Sequence, residues 1–448
     1  MKLVKNIVGK LTEMFSEMEQ CDEEEKKQKI EEMNEMVNEL NTNEIGSVFN
    51  IEMFNKIHFM IEESKISVGN AALMLKHIGY LNALKGIWTY NFRESSLCGI
   101  FGMMIIAEEK KKEEKDEKLL VDLCECFLML NNSYSSELDL FCVPCLLKVA
   151  LKKEEDEETR KEVEMALLAL SCLRKGNNVP KELYLNELKV IILFHQQHHN
   201  LTHLACQSAW LFLMNILFND RNFEKVVVND LHFGKEAASE LEDLSKCEDW
   251  KKEKEEKGKE KKEELILLRW IETLNIYFGE CWLRNEECAG LLSSIVMVFR
   301  AAKDNHREIC KGCIGLLNTA AKRSGSKVKD FSESGAIDVF LKEIHISTLN
   351  DQKVKKILEF FGYISYRLKK EDRPFLPFLY DDEMEGKWYY EKDEMKRKEL
   401  KRKVLEMMEE EGYEDVIISM HGIFDFLNDL YFFSGRLSAH ISDYFVNV

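Results

Sequence analysis

The histidines between positions 195 and 206 are the residues whose types and spacing come nearest to a metal site. His195, His199 and His203 stand four residues apart, and Cys206 follows just beyond. On one continuous helix, three of these side chains would face the same ion, and imidazole and thiolate are ligands that Zn²⁺ prefers. The segment also lies where one apolar helix ends and the next begins, and no His-Glu-x-x-His pattern supplies a base. The pattern favours a polar turn, and a metal-dependent helical enzyme is the alternative function.

Two cysteine pairs have the two-residue spacing that zinc sites and redox sites share. They are Cys142-Val-Pro-Cys145 and Cys310-Lys-Gly-Cys313, which lie far apart in the chain. No βαβ pattern surrounds either pair, so a thioredoxin-like site is not supported. We interpret these cysteines as small side chains at helix contacts.

Nucleotide chemistry and acyl transfer have no motif in this chain. The phosphate-binding pattern Gly-x-x-x-x-Gly-Lys-Ser/Thr is absent, as are a Gly-x-Gly-x-x-Gly turn after a strand and a Gly-x-Ser-x-Gly elbow. We therefore expect a noncatalytic protein, not an enzyme, and we expect no cofactor.

The composition predicts a helical chain with a protein partner. Apolar residues make up 45% of the 448 positions, charged residues 32%, and there are 4 prolines. This balance is typical of a folded chain rich in helix. The 63 basic and 81 acidic residues give a net charge of -18, which repels a phosphate backbone and favours basic ligands. We expect a protein or peptide partner of basic charge, and no nucleic acid.

The cysteine content and the lengths of the apolar runs predict the cellular compartment of the protein. Thirteen cysteines, an odd number, in a chain too long to need disulfides favour the reducing cytoplasm. The basic run Lys396–Lys403 is read as a charged helix face, with a nuclear-import signal and a nuclear location as the alternative. No run reaches the roughly 18 uncharged apolar residues of a transmembrane helix. The N-terminus has no pattern of an export signal.

Apolar helical segments recur along the chain at a nearly constant interval. No alternation of period two is sustained beyond residue 45, which predicts an all-α fold. Equivalent positions near the ends of successive apolar helices are separated by 41, 43, 60 and 43 residues, and they are Asn131, Cys172, Asn215, Asn275 and Asn318. The long step contains residues 245–264, which are nearly all Lys and Glu, as expected for a loop inserted into a repeat array.

The segment from Cys313 to Ile344 resembles an armadillo repeat. It has a long helix ending in Leu316-Leu-Asn318, a polar turn, a short helix, the junction Ser334-Gly-Ala-Ile337 and a second apolar helix. Gly335 can supply the positive φ that a sharp junction requires. The resemblance implies a right-handed α-solenoid of armadillo- or HEAT-like repeats with helical caps, and a concave surface that binds a protein or peptide.

The resemblance also implies binding residues. Families that bind extended peptides, such as importin alpha, carry a Trp and, four residues later, an Asn on the long helix of each repeat. Here Trp210 with Asn215, and Trp270 with Asn275, are five residues apart, and Asn318 has no matching Trp. A step of five rotates the Asn about 100° further around the helix than a step of four. These five residues are the candidate groove, and the alternative is that the tryptophans pack in the core and the asparagines are satisfied near helix ends.

Three regions follow from this interpretation. Residues 1–44 are two amphipathic helices that cap the array, residues 45–376 are the repeats with the charged insertion at 245–264, and residues 377–448 are a charged helix and an aromatic-rich cap. The apolar stripe of residues 1–18 predicts a packed first helix, because the acids beside it disfavour contact with an anionic membrane surface. The expected function is a scaffold or adaptor that binds a protein or peptide.

Overall fold

The computed structural model describes most of the chain up to residue 364. The described residues are 2–38, 40, 48, 51–85, 97–111, 116–130, 137–152, 156–173, 181–247, 262–280, 286–302, 306–323, 328–337, 339, 340, 343, 356, 357, 360, 363 and 364. Within them, every regular element is a helix, so the predicted all-α class is confirmed. The predicted C-terminal cap at 377–448, the basic run at 396–403, Asn131 and most of the segment 245–264 lie outside the described residues.

The chain divides into two compact units. The first unit comprises residues 1–222 and 252–269. Its helices are α1 (Lys2–Met18), α2 (Glu23–Asn38), α3 (Ile51–Glu62), α4 (Val68–Lys85), α5 (Leu97–Glu109), α6 (Glu117–Leu130), α7 (Glu137–Ala150), α8 (Glu157–Ser171), α9 (Lys181–His198) and α10 (His203–Ile216).

The second unit comprises residues 223–251 and 270–448. It holds a π-helix (Glu224–Asp230), α11 (Phe233–Lys246), α13 (Glu286–Ala302), α14 (Arg307–Arg323) and α15 (Val328–Glu333). Helix α12 (Lys262–Glu280) contributes its first residues to the first unit and the residues from Trp270 onward to the second.

Helices of the first unit pack as successive hairpins. The pairs α1/α2, α3/α4, α5/α6, α7/α8 and α9/α10 are each in contact. The second helix of each hairpin also contacts the second helix of the next one, which gives the series α2, α4, α6, α8 and α10. Helix α4 contacts α8 as well, and α7 contacts α9. Every helix is thus packed against its neighbours along the chain.

Polar side chains fix where the helices of the first unit begin. The Asp22 carboxylate accepts from the backbone N–H groups of Glu24 and Glu25 at 3.0 and 2.9 Å, at the start of α2. Asp156 accepts from Thr159 N at 2.7 Å at the start of α8, and Thr202 Oγ1 accepts from Ala205 N at 3.2 Å at the start of α10. These side chains satisfy N–H groups that have no partner within the first turn of a helix.

A buried arginine joins three helices of the first unit. The Arg269 guanidinium, on α12, donates from Nε to Gln207 Oε1 of α10 at 2.9 Å and from Nη2 to Ser171 Oγ of α8 at 2.6 Å. Its Nη1 donates to the carbonyl of Ala83 on α4. The rigid fork of a guanidinium can serve several acceptors at once. Arg269 therefore fixes the ends of α4 and α8 beside α10.

The second unit is organised around α13, which contacts α11, α14 and α15. Its core includes the rings of Phe233, Trp270 and Tyr277, in which Phe233 contacts the other two at tilted angles, with the centroids of Phe233 and Tyr277 4.7 Å apart. Gly335 has a φ of 75°, which confirms the conformation predicted for this junction. A Cβ here would lie 2.9 Å from Arg300 Nη2, the mobile end of a long side chain, so the positive φ is the main reason that the position favours glycine. Among the described residues, no helix is both long and apolar enough to cross a bilayer.

Candidate functional site

The two predicted groove tryptophans lie in the interior of the protein. Trp210 is 1% exposed and Trp270 is 0% exposed. Every residue of α10 from Leu204 to Ile216 is buried, so Trp210 lies on a helix that has no outward face. Aromatic side chains of this size contribute mainly by burial, which makes both rings part of the core in this structure.

Asn215 and Asn318 donate hydrogen bonds from their side-chain amides to backbone carbonyls. Asn215 Nδ2 donates to the carbonyls of Leu173 at 2.8 Å and Ser171 at 3.3 Å, at the C-terminal end of α8. Asn318 Nδ2 donates to the carbonyl of Lys356 at 2.9 Å. The last carbonyls of a helix lack intrahelical donors, and a side-chain amide satisfies them. Both amides are largely buried.

Asn275 is the member of the predicted groove that solvent reaches. It is exposed on α12, and its Oδ1 accepts from Thr319 Oγ1 of α14 at 3.0 Å. Its Nδ2 group belongs to an exposed side chain, which is the geometry that a peptide-binding Asn needs. Of the five predicted groove residues, the structure therefore leaves Asn275 as the one on the surface.

The histidine segment forms a turn between two helices. Helix α9 ends at His198, His199 has a φ of 48°, and α10 begins at His203. Leu201 N donates to His195 Nδ1 at 3.0 Å, which closes the turn. His195 and Cys206 are buried, whereas His199 and His203 are exposed. The four side chains are therefore not arranged along one helix. Among the described residues, neither His199 nor His203 lies in a group close enough to share an ion.

The two Cys-x-x-Cys segments are in helices. Cys142 and Cys145 lie on α7, where Cys142 is buried and Cys145 is half-buried, and Cys310 and Cys313 are buried on α14. Burial raises the pKa of the Cys313 thiol. A hydrogen bond with Cys142 and burial raise the pKa of the Cys124 thiol on α6. Thiols with raised pKa values stay protonated at neutral pH and are weak nucleophiles and weak metal ligands.

A pocket in the first unit is the candidate functional site, and sequence reasoning missed it. It has a volume of about 610 Å³ and is lined by residues of α4, α6, α7 and α8. We call it the α6 pocket, because the N-terminal half of α6 crosses it. Each of the four helices contributes an apolar side chain to its walls, namely Leu73, Val121, Val149 and Met165. Three successive hairpins are thus required to form this one pocket.

Three charged side chains form the floor of the α6 pocket. Lys76 Nζ lies 2.7 Å from Asp122 Oδ1 and 2.7 Å from Glu125 Oε2. Glu125 is 1% exposed, whereas the side chains of Lys76 and Asp122 are 23% and 26% exposed. We call these three residues the floor triad. It joins α4 to α6 and presents two carboxylates and one ammonium to the pocket.

Burial and charge shift the ionisation of the floor triad. Loss of water around the carboxyl, with smaller contributions from Asp122 and Glu162, raises the pKa of Glu125 to about 7, although Lys76 opposes this. For Lys76, burial acts against the charged form, but Glu125 and Asp122 outweigh it and raise the pKa of the ammonium. Lys76 is therefore charged at neutral pH, and Glu125 holds a proton more readily than an exposed carboxyl does. Strongly shifted groups in a pocket are typical of binding sites.

Each member of the floor triad interrupts an apolar sequence. Glu125 is the one charged residue between Leu123 and Leu130, and Lys76 follows five apolar residues, Ala71 to Leu75. A charged residue in a helix that is otherwise buried needs a partner, which is a signal that sequence alone offers. The identity of that partner depends on packing between α4 and α6, which the sequence does not state.

Comparison of the chain with protein-family models, with curated proteins and with solved structures found no match. The resemblance to armadillo repeats therefore rests on the residues quoted above, and the packing of the helices is compatible with a helical repeat.

Proposed function

We propose that this chain is a noncatalytic scaffold or adaptor in the cytoplasm. In this proposal its helices form a right-handed α-solenoid of armadillo- or HEAT-like repeats, and the concave surface binds a protein or peptide segment. The odd number of cysteines, thirteen, in a chain too long to need disulfides supports a reducing compartment.

One observation carries the proposal: a single pocket is built from three successive hairpins. Leu73 comes from the hairpin α3/α4, Val121 from α5/α6, and Val149 and Met165 from α7/α8. In repeat arrays each unit buries its apolar face on the next, and the surface shared by several units is the one that binds ligands. A surface of this origin supports binding of an extended segment that runs across neighbouring repeats.

The charge of the chain supports a basic partner. A net charge of -18 attracts basic ligands and speeds their encounter with the protein. Electrostatic attraction of this kind is weakened by salt. The proposed interaction is therefore expected to become weaker as the ionic strength rises.

The test is a mapped interaction of the full chain. The immobilised protein is used to capture partners from cytoplasmic extract, and each captured protein is then purified and titrated by calorimetry. Amide hydrogen exchange of the complex locates the contact. We expect saturable binding that weakens with salt, with new protection on several successive hairpins of one unit. Protection confined to a single helix, or turnover of the captured molecule, would contradict a solenoid scaffold.

Asn275→Asp is the informative change among the predicted groove residues. It keeps the size of an exposed side chain and removes the Nδ2 donors, so a partner whose backbone bonds to this amide should bind about fivefold more weakly or worse. Thr319→Val, which removes the hydroxyl that donates to Asn275, is the control for local structure. Equal affinity of wild type and Asn275→Asp would exclude Asn275 from the groove. Asn215 is unsuitable for this purpose because its amide stabilises the end of α8.

A further inference from the structure

The floor triad has an excess negative charge that its own side chains do not neutralise. With all three groups ionised, two carboxylates face one ammonium. At the rim, charges form pairs of opposite sign, Lys148 with Glu117 and Lys152 with Glu162, at 3.2 and 2.8 Å. Rim charges are exposed and screened by water, whereas the charge on Glu125 is not. The remaining charged groups of the lining, Lys118, Glu158 and Lys161, are exposed, so the negative charge that water screens least is the one on the buried Glu125.

The free protein compensates for this charge with a proton. Glu125 has its pKa raised to about 7, so near neutrality it spends part of its time protonated. A cation that entered the pocket would take the place of this proton and complete a set of two carboxylates and two cations. Charge-assisted hydrogen bonds between a cation and a carboxylate are stronger than neutral ones, and they offset the cost of removing the charges from water when each carboxylate has a hydrogen-bonded partner.

The walls of the pocket select the shape of that cation. Leu73, Val121, Val149 and Met165 contribute apolar surface to the lining of the pocket. Long basic side chains have an aliphatic stem and a charged end, and they bury the stem along apolar surface. A divalent metal ion is disfavoured, because among the described residues Asp122 and Glu125 do not belong to a group of three or more ligands close enough to share an ion. An anion would meet the two carboxylates of the floor.

We propose that the α6 pocket binds the side chain of a lysine or arginine from a partner polypeptide, with its stem along the four apolar walls and its charged end at Glu125 and Asp122. This inference rests on the proposed scaffold function and names the residue type that anchors the partner. Acidity of the whole chain brings the basic segment to the surface, and the floor triad holds one side chain of it.

The proposal predicts that binding displaces a proton. The other ionisable groups around Glu125 are Lys118 on α6, Cys145 on α7, and Glu158 and Lys161 on α8, besides the rim pairs above. They are exposed or half-buried. Since the cation replaces the proton on Glu125, apparent affinity should rise about tenfold from pH 6 to pH 8, as the ionised fraction increases.

The first experiment uses small probes that imitate the anchor. n-Butylguanidinium, its neutral counterpart n-butylurea and the anion pentanoate are titrated into the full chain and followed by nuclear magnetic resonance. We expect n-butylguanidinium to bind with a dissociation constant of about 1–10 mM, which is reasonable for a ligand of this size. n-Butylurea and pentanoate should bind at least tenfold more weakly. Equal binding of the urea, or tighter binding of pentanoate, would overturn the proposal.

Variants assign the probe to the α6 pocket. Glu125→Gln should weaken n-butylguanidinium binding at least tenfold and remove its dependence on pH, while Glu32→Gln, an exposed carboxyl on α2, removes the same charge elsewhere and should have no effect. Val121→Trp fills the pocket and leaves the floor triad intact, so it should abolish binding by a different route. It also keeps the test valid if Glu125→Gln folds poorly. Unchanged binding in Val121→Trp would overturn the assignment.

A peptide probe distinguishes binding of a side chain within a polypeptide from binding of a small free cation. The pentapeptide Gly-Ala-Arg-Ala-Gly, blocked at both ends, should bind at least as tightly as n-butylguanidinium, and its citrulline counterpart should not bind. If n-butylguanidinium binds and the peptide does not, the pocket recognises a small free cation and the proposal fails. If a captured partner of the scaffold binds Val121→Trp and Glu125→Gln as it binds wild type, the scaffold function stands and the anchor proposal fails.

Discussion

At the scale of single residues, buried polar groups explain more of this protein than the motifs do. Arg269 donates to the carbonyl of Ala83 and to the side chains of Ser171 and Gln207, and Asn215 donates to two carbonyls at the end of α8. A buried polar group is costly unless it is hydrogen-bonded, so each such residue specifies which helices meet. The sequence indicates that Arg269 is unusual, because it follows Leu265-Ile-Leu-Leu268, but not which acceptors it reaches.

Glu125 makes stability depend on pH in an unusual direction for a carboxyl. Its pKa is about 7 in the folded protein and 4.5 in an ordinary setting, so between these values the folded state holds the proton more tightly than the unfolded state. The contribution of Glu125 to stability is therefore fully present below about pH 4.5 and is lost as pH rises to about 7, by on the order of 2–3 kcal/mol.

Urea unfolding at pH 5 and pH 7.5, in wild type and in Glu125→Gln, measures this contribution. We expect wild type to lose more stability than the variant between the two values of pH, because glutamine has no proton to lose. Other titrating groups are common to both proteins and cancel in the difference. A parallel pH dependence of the two proteins would mean that Glu125 has an ordinary pKa.

At the scale of helices, the four-residue spacing of the histidines does not indicate that one helix ends before α10 begins. Residues His195 to Cys206 are compatible with one helix by spacing, yet the chain turns at His199 and restarts at Thr202. The signal was present, because Asn200-Leu-Thr202 places an N-cap residue before an apolar run. Turn chemistry thus decides the geometry of the histidines, and residue spacing by itself does not.

Thr202→Ala should destabilise the first unit by about 1–2 kcal/mol. The change removes the hydroxyl that caps α10 and that donates to Glu164 Oε2 of α8 at 2.6 Å. Thr202→Ser retains both bonds and is the matched control, with an expected effect below about 0.5 kcal/mol. The free energy of unfolding from urea titration checks both. Equal losses in the two variants would show that the methyl group, and not the hydroxyl, matters.

At the scale of the whole molecule, the helical class was predictable and the functional face was not. The absence of sustained alternation and the recurrent apolar segments predict helices, and the described residues are helical. The predicted groove depended on knowing which side of each helix faces outward. Helix α10 is apolar on nearly all sides, so its sequence has no polar stripe from which to orient Trp210 and Asn215. The α6 pocket is lined by residues of four helices, so no single segment of the sequence indicates it.

Exchange of backbone amides with deuterated water tests the position of α10. Its side chains from Leu204 to Ile216 are buried, whereas its hairpin partner α9 exposes Val190, Leu193 and Phe194. Slow exchange follows from deep burial, so amides from Gln207 to Ile216 should exchange at least tenfold more slowly than those from Val190 to His198. Comparable rates in the two helices would show that α10 opens as readily as α9.

Because three hairpins form one pocket, ligand binding in that pocket and folding of the three hairpins are thermodynamically linked. A ligand seated against α4, α6, α7 and α8 binds only when all of these helices are in register, so it adds its binding free energy to their joint opening rather than to any single hairpin. At a concentration one hundred times the dissociation constant this amounts to about 2.7 kcal/mol. A bound partner would therefore make the separate hairpins unfold as a single cooperative unit.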